Sequence, residues 1–373
     1  MNEFTDADRT FMARALELAA RGLYTTTPNP RVGCVIVRDG TVVGEGFHAR
    51  AGAPHAEVEA LADAARRGAD VRGATMYVTL EPCCHQGRTG PCTKALIAAG
   101  IARVVIAAPD PNPLVAGRGV AELRAAGIEV ETGVCEAQAR ALNRAFDKWI
   151  VTRTPWLTLK LAVSLDGRIA ARVGEMTAVT GAAVQQRVQA MRAAVDAVLV
   201  GRQTVAIDAP RLTVRDLAAV PNPEFLPPWR VVVDSQLRTP IDAAVFGTEP
   251  PGAIVATALA QQDARVRALV ASGVRVCSLP GPDGRVDLTA LLALLGGLAP
   301  TPITSILCEG GGVLAASLLA ARLVDELVLM VAPKVFGAHG VASVGPLHEA
   351  IDGFVLDRIE RLGDDVALTY RRP

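Results

Sequence analysis

Two short stretches of the chain carry residues that could together bind a catalytic metal. His55 and Glu57 stand in "PHAEVEAL", and Cys83 and Cys92 stand in "EPCCHQGRTGPC". One imidazole and two thiolates would give zinc three protein ligands and leave the fourth position to water, which is the arrangement of a catalytic site rather than a structural one. Zinc lowers the pKa of its bound water to near neutrality, and a neighbouring carboxylate such as Glu57 can carry protons.

The spacing of the two cysteines is unusually long. His-x-Glu followed by Pro-Cys-x-x-Cys is the pattern of zinc nucleobase deaminases. Here Cys92 lies nine positions after Cys83. The additional residues predict a loop that carries His85 and Arg88, and both side chains suit an anionic group such as a substrate phosphate. The spacing therefore indicates a metal site beside a phosphate-binding loop.

Other interpretations of these residues stay open. Cys83 and Cys92 are also compatible with ordinary buried thiols or with a redox pair, and His55 with a surface histidine. Cys84 is adjacent to Cys83, which is poor geometry for a disulfide. Because the pattern needs only two thiols, Cys84 is expected not to be a ligand.

Helix starts are expected to position the metal-binding side chains. His55 follows a proline and is predicted in the first turn of a helix, and Cys92 also follows a proline. The helix dipole should lower the pKa of a thiol at the position of Cys92. On an ideal helix Glu59 shares the face of His55, whereas the motif selects Glu57, and we follow the motif.

The surrounding elements alternate between helix and strand. Apolar spacing predicts a helix over "DADRTFMARALELAARG" and a hairpin over "VGCVIVRDGTVVGEGF" with its turn at Asp39-Gly40. A second series of strands and helices runs from "WLTLKLAVS" to "ALTYRR". Such alternation predicts layered α/β sheets. The length of 373 residues is that of two domains, and we place them at 1–153 and 154–373.

Composition narrows the class of protein. The formal net charge is zero, and without a basic surplus we expect no nucleic-acid partner. The start "MNEFTDADRT" does not resemble a signal peptide, and apolar runs such as "LTALLALLGGLA" are too short to span a membrane. A cytoplasmic location is therefore expected, where cysteines stay reduced.

The second half carries one candidate phosphate site. "CEGGGVLAAS" is typical of a strand, a glycine loop and a helix start, where backbone N–H groups can face a phosphate. It does not match the dinucleotide fingerprint GxGxxG, and glycine-rich connections also occur without a ligand. "SLDGR" is equally compatible with a simple turn at Asp166-Gly167.

Taken together, these motifs resemble the bifunctional deaminase–reductase family of riboflavin biosynthesis. The segments that carry the resemblance are "TPNPRVGCVIV", "GFHARAGAPHAEVEAL", "YVTLEPCCHQGRTGPC", "LKLAVSLDGRIA", "RLTVR" and "CEGGGVLAASLL". The resemblance implies a cytidine-deaminase-like α/β/α domain with Zn²⁺, followed by a dihydrofolate-reductase-like α/β domain that uses NADPH. The first would deaminate 2,5-diamino-6-ribosylamino-4(3H)-pyrimidinone 5′-phosphate, and the second would reduce the ribosyl group to ribityl.

The resemblance also implies roles for individual residues. The zinc ligands would be His55, Cys83 and Cys92, with Glu57 as the proton shuttle. The matched substrate contacts of the deaminase are Asn29, His48, His85 and Arg88. The matched NADPH contacts are Ala162, Ala178, Thr204, Asp208, Ser235, Gly311, Gly312, Val313, Leu314, Ala315, Ala316 and Ser317. The matched substrate positions of the reductase are Lys160, Met176, Arg192, Leu212, Arg215 and Glu309. In its own sequence context Asn29 is equally a turn residue, and His48 a surface residue.

Three departures concern the reductase half. Met176 stands where the family often has serine, Ala178 where it has tryptophan, and Ala209 where it has a second aspartate. A slow or altered reductase is therefore an open expectation. The alternative functions are a zinc nucleobase or nucleoside deaminase whose C-terminal domain is non-catalytic or repurposed, and an assembly role for residues 154–373. Homo-oligomerisation stays open.

Overall fold

The chain folds into two α/β units, and the computed structural model describes residues 4–86, 90–216, 218, 220, 224–345, 347 and 352–372. The units are Met1–Arg153 and Thr154–Pro373. The first unit contains α1 (Asp6–Ala20), β1 (Gly33–Arg38), β2 (Thr41–Phe47), α2 (Ala56–Arg66), β3 (Thr75–Leu80), α3 (Cys92–Ala99), β4 (Arg103–Ala108), α4 (Arg118–Ala125), β5 (Glu129–Thr132) and α5 (Glu136–Thr152).

The first unit is built on a five-stranded sheet in the order β2-β1-β3-β4-β5. β1 is antiparallel to β2 and β3, whereas β3, β4 and β5 run parallel. The predicted hairpin between β1 and β2 is confirmed, since Asp39 and Gly40 both have positive φ, at 50° and 74°.

Alternation along β1 gives this sheet two buried faces. Cys34 and Ile36 pack in the same cluster as Ala56 and Ala60 of α2. Val35 and Val37 belong to the cluster on the opposite face, which α1 and α5 also enter. Helices therefore cover both faces, as the predicted α/β/α layering requires.

The second unit contains more strands than the first. Its elements are β6 (Trp156–Ser164), β7 (Arg168–Ala170), α6 (Ala182–Ala193), β8 (Ala197–Gly201), α7 (Arg202–Asp208), β9 (Trp229–Val233), β10 (Ala253–Thr257), α8 (Ala264–Ala271), β11 (Arg275–Ser278), α9 (Leu288–Gly296), β12 (Ser305–Cys308), α10 (Gly312–Ala320), β13 (Glu326–Ala332), β14 (Val341–Ala342), β15 (Val355–Leu362) and β16 (Asp365–Arg371).

Nine of these strands form one sheet in the order β11-β10-β9-β8-β12-β6-β13-β16-β15. The strands from β11 to β13 pair in parallel, and β16 and β15 extend the sheet in antiparallel fashion. The carboxyl ends of β8, β9 and β12 lie at one edge, where ligands of α/β sheets bind. Among the described helices, none has both the length and the apolar character that a bilayer crossing requires.

Candidate active sites in the two units

The predicted metal-binding side chains of the first unit meet at two helix starts. His55 is the residue that caps α2, with an extended backbone (φ −74°, ψ 162°), rather than a member of its first turn as we expected. Cys92 is the first residue of α3. His55 Nδ1 lies 3.2 Å from Cys92 Sγ and 3.5 Å from Cys83 Sγ. One potential ligand atom from each residue lies within 4.8 Å of the others.

This donor set fits zinc. Zinc–nitrogen and zinc–sulfur bonds of about 2.0–2.3 Å in a tetrahedron place neighbouring ligand atoms roughly 3.5 Å apart. Cys92 is fully buried, and Cys83 and His55 are partly buried. All seven cysteines are free thiols, so no disulfide competes for the two sulfurs.

Cys83 accepts hydrogen bonds from the first residue of α3. The thiol of Cys92 and its backbone N–H, which lies 3.3 Å from Cys83 Sγ, both donate towards this sulfur. The hydrogen bond from Cys92 is the main cause that lowers the pKa of Cys83 to about 4, and it raises the pKa of Cys92 itself. The expected lowering of the Cys92 pKa is therefore wrong for these thiols, because its proton is shared with Cys83.

Glu57 is the carboxylate that enters the site. It lies in the first turn of α2, is 4% exposed and lines a cavity of about 340 Å³ together with His55 and Cys83. Burial raises its pKa, and the Cys83 thiolate acts in the same direction. Glu59 is not among the residues that line this cavity. Helical spacing does not place Glu59 on the side of His55, because His55 precedes the helix and has an extended backbone.

Asn29 and His48 form one hydrogen-bonded unit on the cavity wall. A carbonyl oxygen can only accept, so His48 donates from Nδ1 to the Pro54 carbonyl at 3.0 Å. Its Nε2 then accepts from Asn29 Nδ2, also at 3.0 Å. Burial lowers the pKa of His48 and favours this neutral form. The amide of Asn29 is thereby oriented, and both residues line the cavity.

The long cysteine loop is described only in part. His85 lines the cavity, and its Nδ1 is buried without a hydrogen-bond partner among the described residues. Arg88 lies outside the described residues. Cys84 is partly exposed, and its thiol is 3.9 Å from the Leu114 carbonyl oxygen.

Two carboxyls near this cavity, one buried and one partly buried, were not predicted from the sequence. Asp110 follows β4, is 8% exposed and lines the cavity, and burial raises its pKa to about 7. Asp147 lies on α5, and burial raises its pKa to about 6. Asp110 could have been found, because the carboxyl ends of the neighbouring parallel strands β3 and β4 must share an edge.

The loop between β3 and α3 is held in place by contacts with the start of α4. Glu81 accepts hydrogen bonds from the backbone N–H groups of Gly117 and Val120, at 3.0 and 3.1 Å. Gly119 packs so closely that a Cβ would lie 2.2 Å from the Pro82 carbonyl oxygen. The position of the neighbouring Cys83 therefore depends on a glycine that lies far away in the sequence.

The second unit has a cavity of about 540 Å³ that gathers predicted cofactor and substrate residues. Those that line it are Lys160, Ala162, Ala178, Thr204, Asp208, Glu309, Gly311, Gly312 and Val313. Lys160 Nζ lies 3.8 Å from Glu309 Oε2. Burial tends to raise the pKa of Glu309, but Arg192 and Lys160 outweigh it and hold the pKa below its usual value. Partial burial raises the pKa of Asp208.

A neighbouring cavity of about 540 Å³ contains the other predicted cofactor residues. Ser235, Leu314 and Ser317 line it, and Thr204, Gly311 and Val313 line both cavities. The two cavities thus adjoin at the start of α10. Ala315 and Ala316 are buried, at 0% and 6% exposure, and line neither cavity.

We call the cavity that Lys160, Asp208 and Glu309 line the reaction cavity. Four predicted substrate residues of the reductase do not line it. Arg192 is 9% exposed, and its guanidinium holds Glu309 with contacts of 2.6 and 3.1 Å. We expected this side chain to contact the substrate, but Glu309 already occupies its fork. Leu212 is buried in the core, whereas Met176 and Arg215 are exposed. Asp166 accepts from the backbone N–H groups of Phe336 and Gly337, so it is more than a simple turn residue.

Comparison with known proteins gives matches to both units. Residues 5–108 match the cytidine and deoxycytidylate deaminase zinc-binding region, and residues 155–368 match the RibD C-terminal domain. The riboflavin biosynthesis protein RibD of Escherichia coli strain K12 is 46% identical, over 97% of this chain and 98% of that protein.

Two solved structures share the fold of the whole chain. Acinetobacter baumannii RibD is 41% identical with a TM-score of 0.87, over 98% of this chain and 99% of that one. A diaminohydroxyphosphoribosylaminopyrimidine deaminase/5-amino-6-(5-phosphoribosylamino)uracil reductase from Thermotoga maritima is 33% identical with a TM-score of 0.83, at the same coverage. The predicted family and the predicted two-domain fold are confirmed: the chain belongs to the RibD family of riboflavin biosynthesis proteins.

Proposed function

We propose that this chain catalyses two successive steps of riboflavin biosynthesis with zinc and NADPH. The first unit hydrolyses the amino group of 2,5-diamino-6-ribosylamino-4(3H)-pyrimidinone 5′-phosphate, and the second reduces the ribosyl group to give 5-amino-6-ribitylamino-uracil 5′-phosphate. The observation that supports it best is the His55, Cys83 and Cys92 cluster with the buried Glu57 beside it. The family match of the second unit disfavours a non-catalytic C-terminal domain.

In the first unit, each side chain has a distinct task. Bound zinc, held by His55, Cys83 and Cys92, supplies water of lowered pKa. Glu57 accepts a proton from the attacking water and delivers one to the departing amino group. Burial raises the pKa of Glu57 and thus favours a carboxyl that can hold this proton between the two events.

Substrate binding in this unit follows from the cavity wall. Asn29 donates to His48, so its carbonyl oxygen is left to accept from an N–H of the pyrimidine. His48 acts through Asn29 by orienting its amide. His85 and Arg88 bind the phosphate of the substrate.

In the second unit, the proposed tasks divide between the two cavities. NADPH supplies the hydride when it is bound. Lys160 and Asp208 face the reaction cavity and hold the proton that the reduced ribose oxygen requires. Arg192 positions Glu309 as a substrate acceptor, and Arg215 is the proposed phosphate contact. The N–H groups at the start of α10 suit the cofactor pyrophosphate. The proposed compartment is the cytoplasm, where thiol ligands stay reduced.

One coupled assay tests both reactions and their order. Zinc-loaded protein receives the diaminopyrimidine ribosyl phosphate, and NADPH oxidation and ammonia release are followed. We expect wild type to oxidise NADPH, and Glu57→Gln to do so only when the deaminated product is supplied. Loss of general acid–base catalysis should slow deamination by roughly 10²–10⁴-fold. Glu59→Gln, two positions along the same helix, is the matched control and should keep both activities.

Two results would contradict the proposal. If wild type releases ammonia but never oxidises NADPH, even with the deaminated product, the second unit is not a reductase. If Glu59→Gln blocks deamination and Glu57→Gln does not, the proton shuttle is assigned to the wrong carboxylate.

A further inference from the structure

The cavity beside the reaction cavity has basic walls. It lies at the carboxyl ends of β8 and β9 and at the start of α10, and three arginines line it: Arg202, Arg238 and Arg285. Arg202 follows β8 directly, whereas Arg238 belongs to the segment after β9. Neither side chain has been assigned a role in the two reactions above.

Two of the three arginines are available to a ligand. Arg285 Nε lies 3.6 Å from a carboxylate oxygen of Asp283, so its charge is already paired. Arg202 and Arg238 have no ion pair and no hydrogen bond within the described part of the chain. Arg238 is exposed and Arg202 is partly buried. A guanidinium that faces a cavity and has no carboxylate partner is well suited to a phosphate, which its planar fork binds bidentately.

Asp234 is a carboxylate in this cavity that could repel a phosphate, but its oxygens already accept hydrogen bonds from neighbouring residues. Asp234 follows β9, in a position where an acidic residue would favour a ribose hydroxyl and repel a 2′-phosphate. Its side chain is 2% exposed and accepts from the N–H and hydroxyl groups of Thr239, at 2.7 and 2.8 Å, and from the N–H of Gln236 at 3.3 Å. These donors hold the carboxylate within its own turn.

The arrangement of the two cavities determines which end of the cofactor lies here. The ionisable groups Lys160, Asp208 and Glu309 line the other cavity, so the nicotinamide belongs there. The start of α10, at Gly311, borders both cavities and suits the pyrophosphate. The adenosine half then falls in the cavity of Arg202 and Arg238.

We propose that Arg202 and Arg238 bind the 2′-phosphate of NADPH and thereby set the preference of this chain for NADPH over NADH. The inference rests on the proposed reductase function, but it concerns the binding of the cofactor rather than the chemical step. It assigns recognition of the 2′-phosphate to two arginines that have no proposed part in either reaction.

Binding measurements on the full chain test this inference. Dissociation constants of NADP⁺ and NAD⁺ are measured by titration calorimetry for wild type, Arg202→Gln, Arg238→Gln and the double variant. A hydrogen bond to a charged group corresponds to a change of roughly 10–100-fold in affinity. We expect each single variant to lose about that factor for NADP⁺ with NAD⁺ binding unchanged. Arg267 is an exposed arginine on α8 that does not line this cavity. Arg267→Gln is therefore the charge-matched control and should alter neither constant.

The possible outcomes separate this inference from the proposed function. If the variants bind NADP⁺ as tightly as wild type, or weaken NADP⁺ and NAD⁺ equally, the two arginines do not read the 2′-phosphate. If Arg267→Gln weakens NADP⁺ as much as Arg238→Gln does, the effect is a general change in charge and the inference fails. If wild type binds neither dinucleotide, the reductase proposal itself fails.

Discussion

Glu309 accepts both arms of the Arg192 guanidinium, with Nε–Oε1 and Nη2–Oε2 distances of 2.6 and 3.1 Å. Both side chains are about nine-tenths buried, with side-chain exposures of 10% for Glu309 and 11% for Arg192. Arg192 also donates to the Thr213 carbonyl, at 3.3 Å. A bidentate pair of this kind fixes the direction of the carboxylate beside Lys160.

Removing one member of this pair should destabilise the second unit. In Arg192→Leu, Glu309 would remain as a buried charge without its main partner, and we expect the free energy of unfolding to fall by about 3–5 kcal/mol. The double variant Arg192→Leu/Glu309→Leu should recover much of this loss, because neither charge is then buried alone. Calorimetry of the full chain measures both effects.

The control for this experiment is an exposed ion pair in the same unit. Arg265 and Asp263 lie 2.9 Å apart at the surface, and Arg265→Gln should change stability by less than about 1 kcal/mol. An Arg192→Leu effect no larger than this would show that the buried pair does not hold Glu309.

The zinc content should depend on two of the three cysteines around the first site. We expect about one zinc ion per chain in wild type and almost none in Cys92→Ala, because two remaining ligands bind zinc weakly. Cys84→Ala is the matched control and should keep its zinc. Inductively coupled plasma mass spectrometry measures the metal directly, and zinc loss in Cys84→Ala with retention in Cys92→Ala would overturn the ligand assignment.

The pH dependence of stability should carry a contribution from Asp147. Burial raises its pKa to about 6 in the folded chain, from 3.8. Between these two values the folded state binds more protons than the unfolded state, so stability falls as the pH rises through that window and is then constant. Asp147→Asn should therefore melt near wild type at pH 4 and be more stable at pH 8, by roughly 1–2 kcal/mol.

Calorimetry of the zinc-loaded chain at the two pH values measures this difference. Asp39→Asn is the control, since Asp39 is exposed in the hairpin turn. Equal melting temperatures of Asp147→Asn and wild type at pH 8 would mean that folding does not raise the pKa of Asp147.

Local patterns were sufficient for much of the fold. The Asp39-Gly40 hairpin, the helix that begins with "DADRT" and the alternation of strands with helices follow from short-range periodicity and turn chemistry. No local pattern predicts the edge strand β15, because most of its residues are exposed and such a strand lacks the alternation that marks a buried face.

The sequence alone determined the family, the zinc chemistry and the candidate residues, since these depend on residue types in a fixed order and spacing. It could not determine which side chains hydrogen-bond to one another or which of them line a cavity. The fork of Arg192 is closed by Glu309, His48 acts on Asn29, and Asp110 enters the deaminase cavity, all through contacts between residues far apart in the chain. Hydrogen bonding and burial at such contacts depend on distances of a few ångströms, and only the packed tertiary structure decides these.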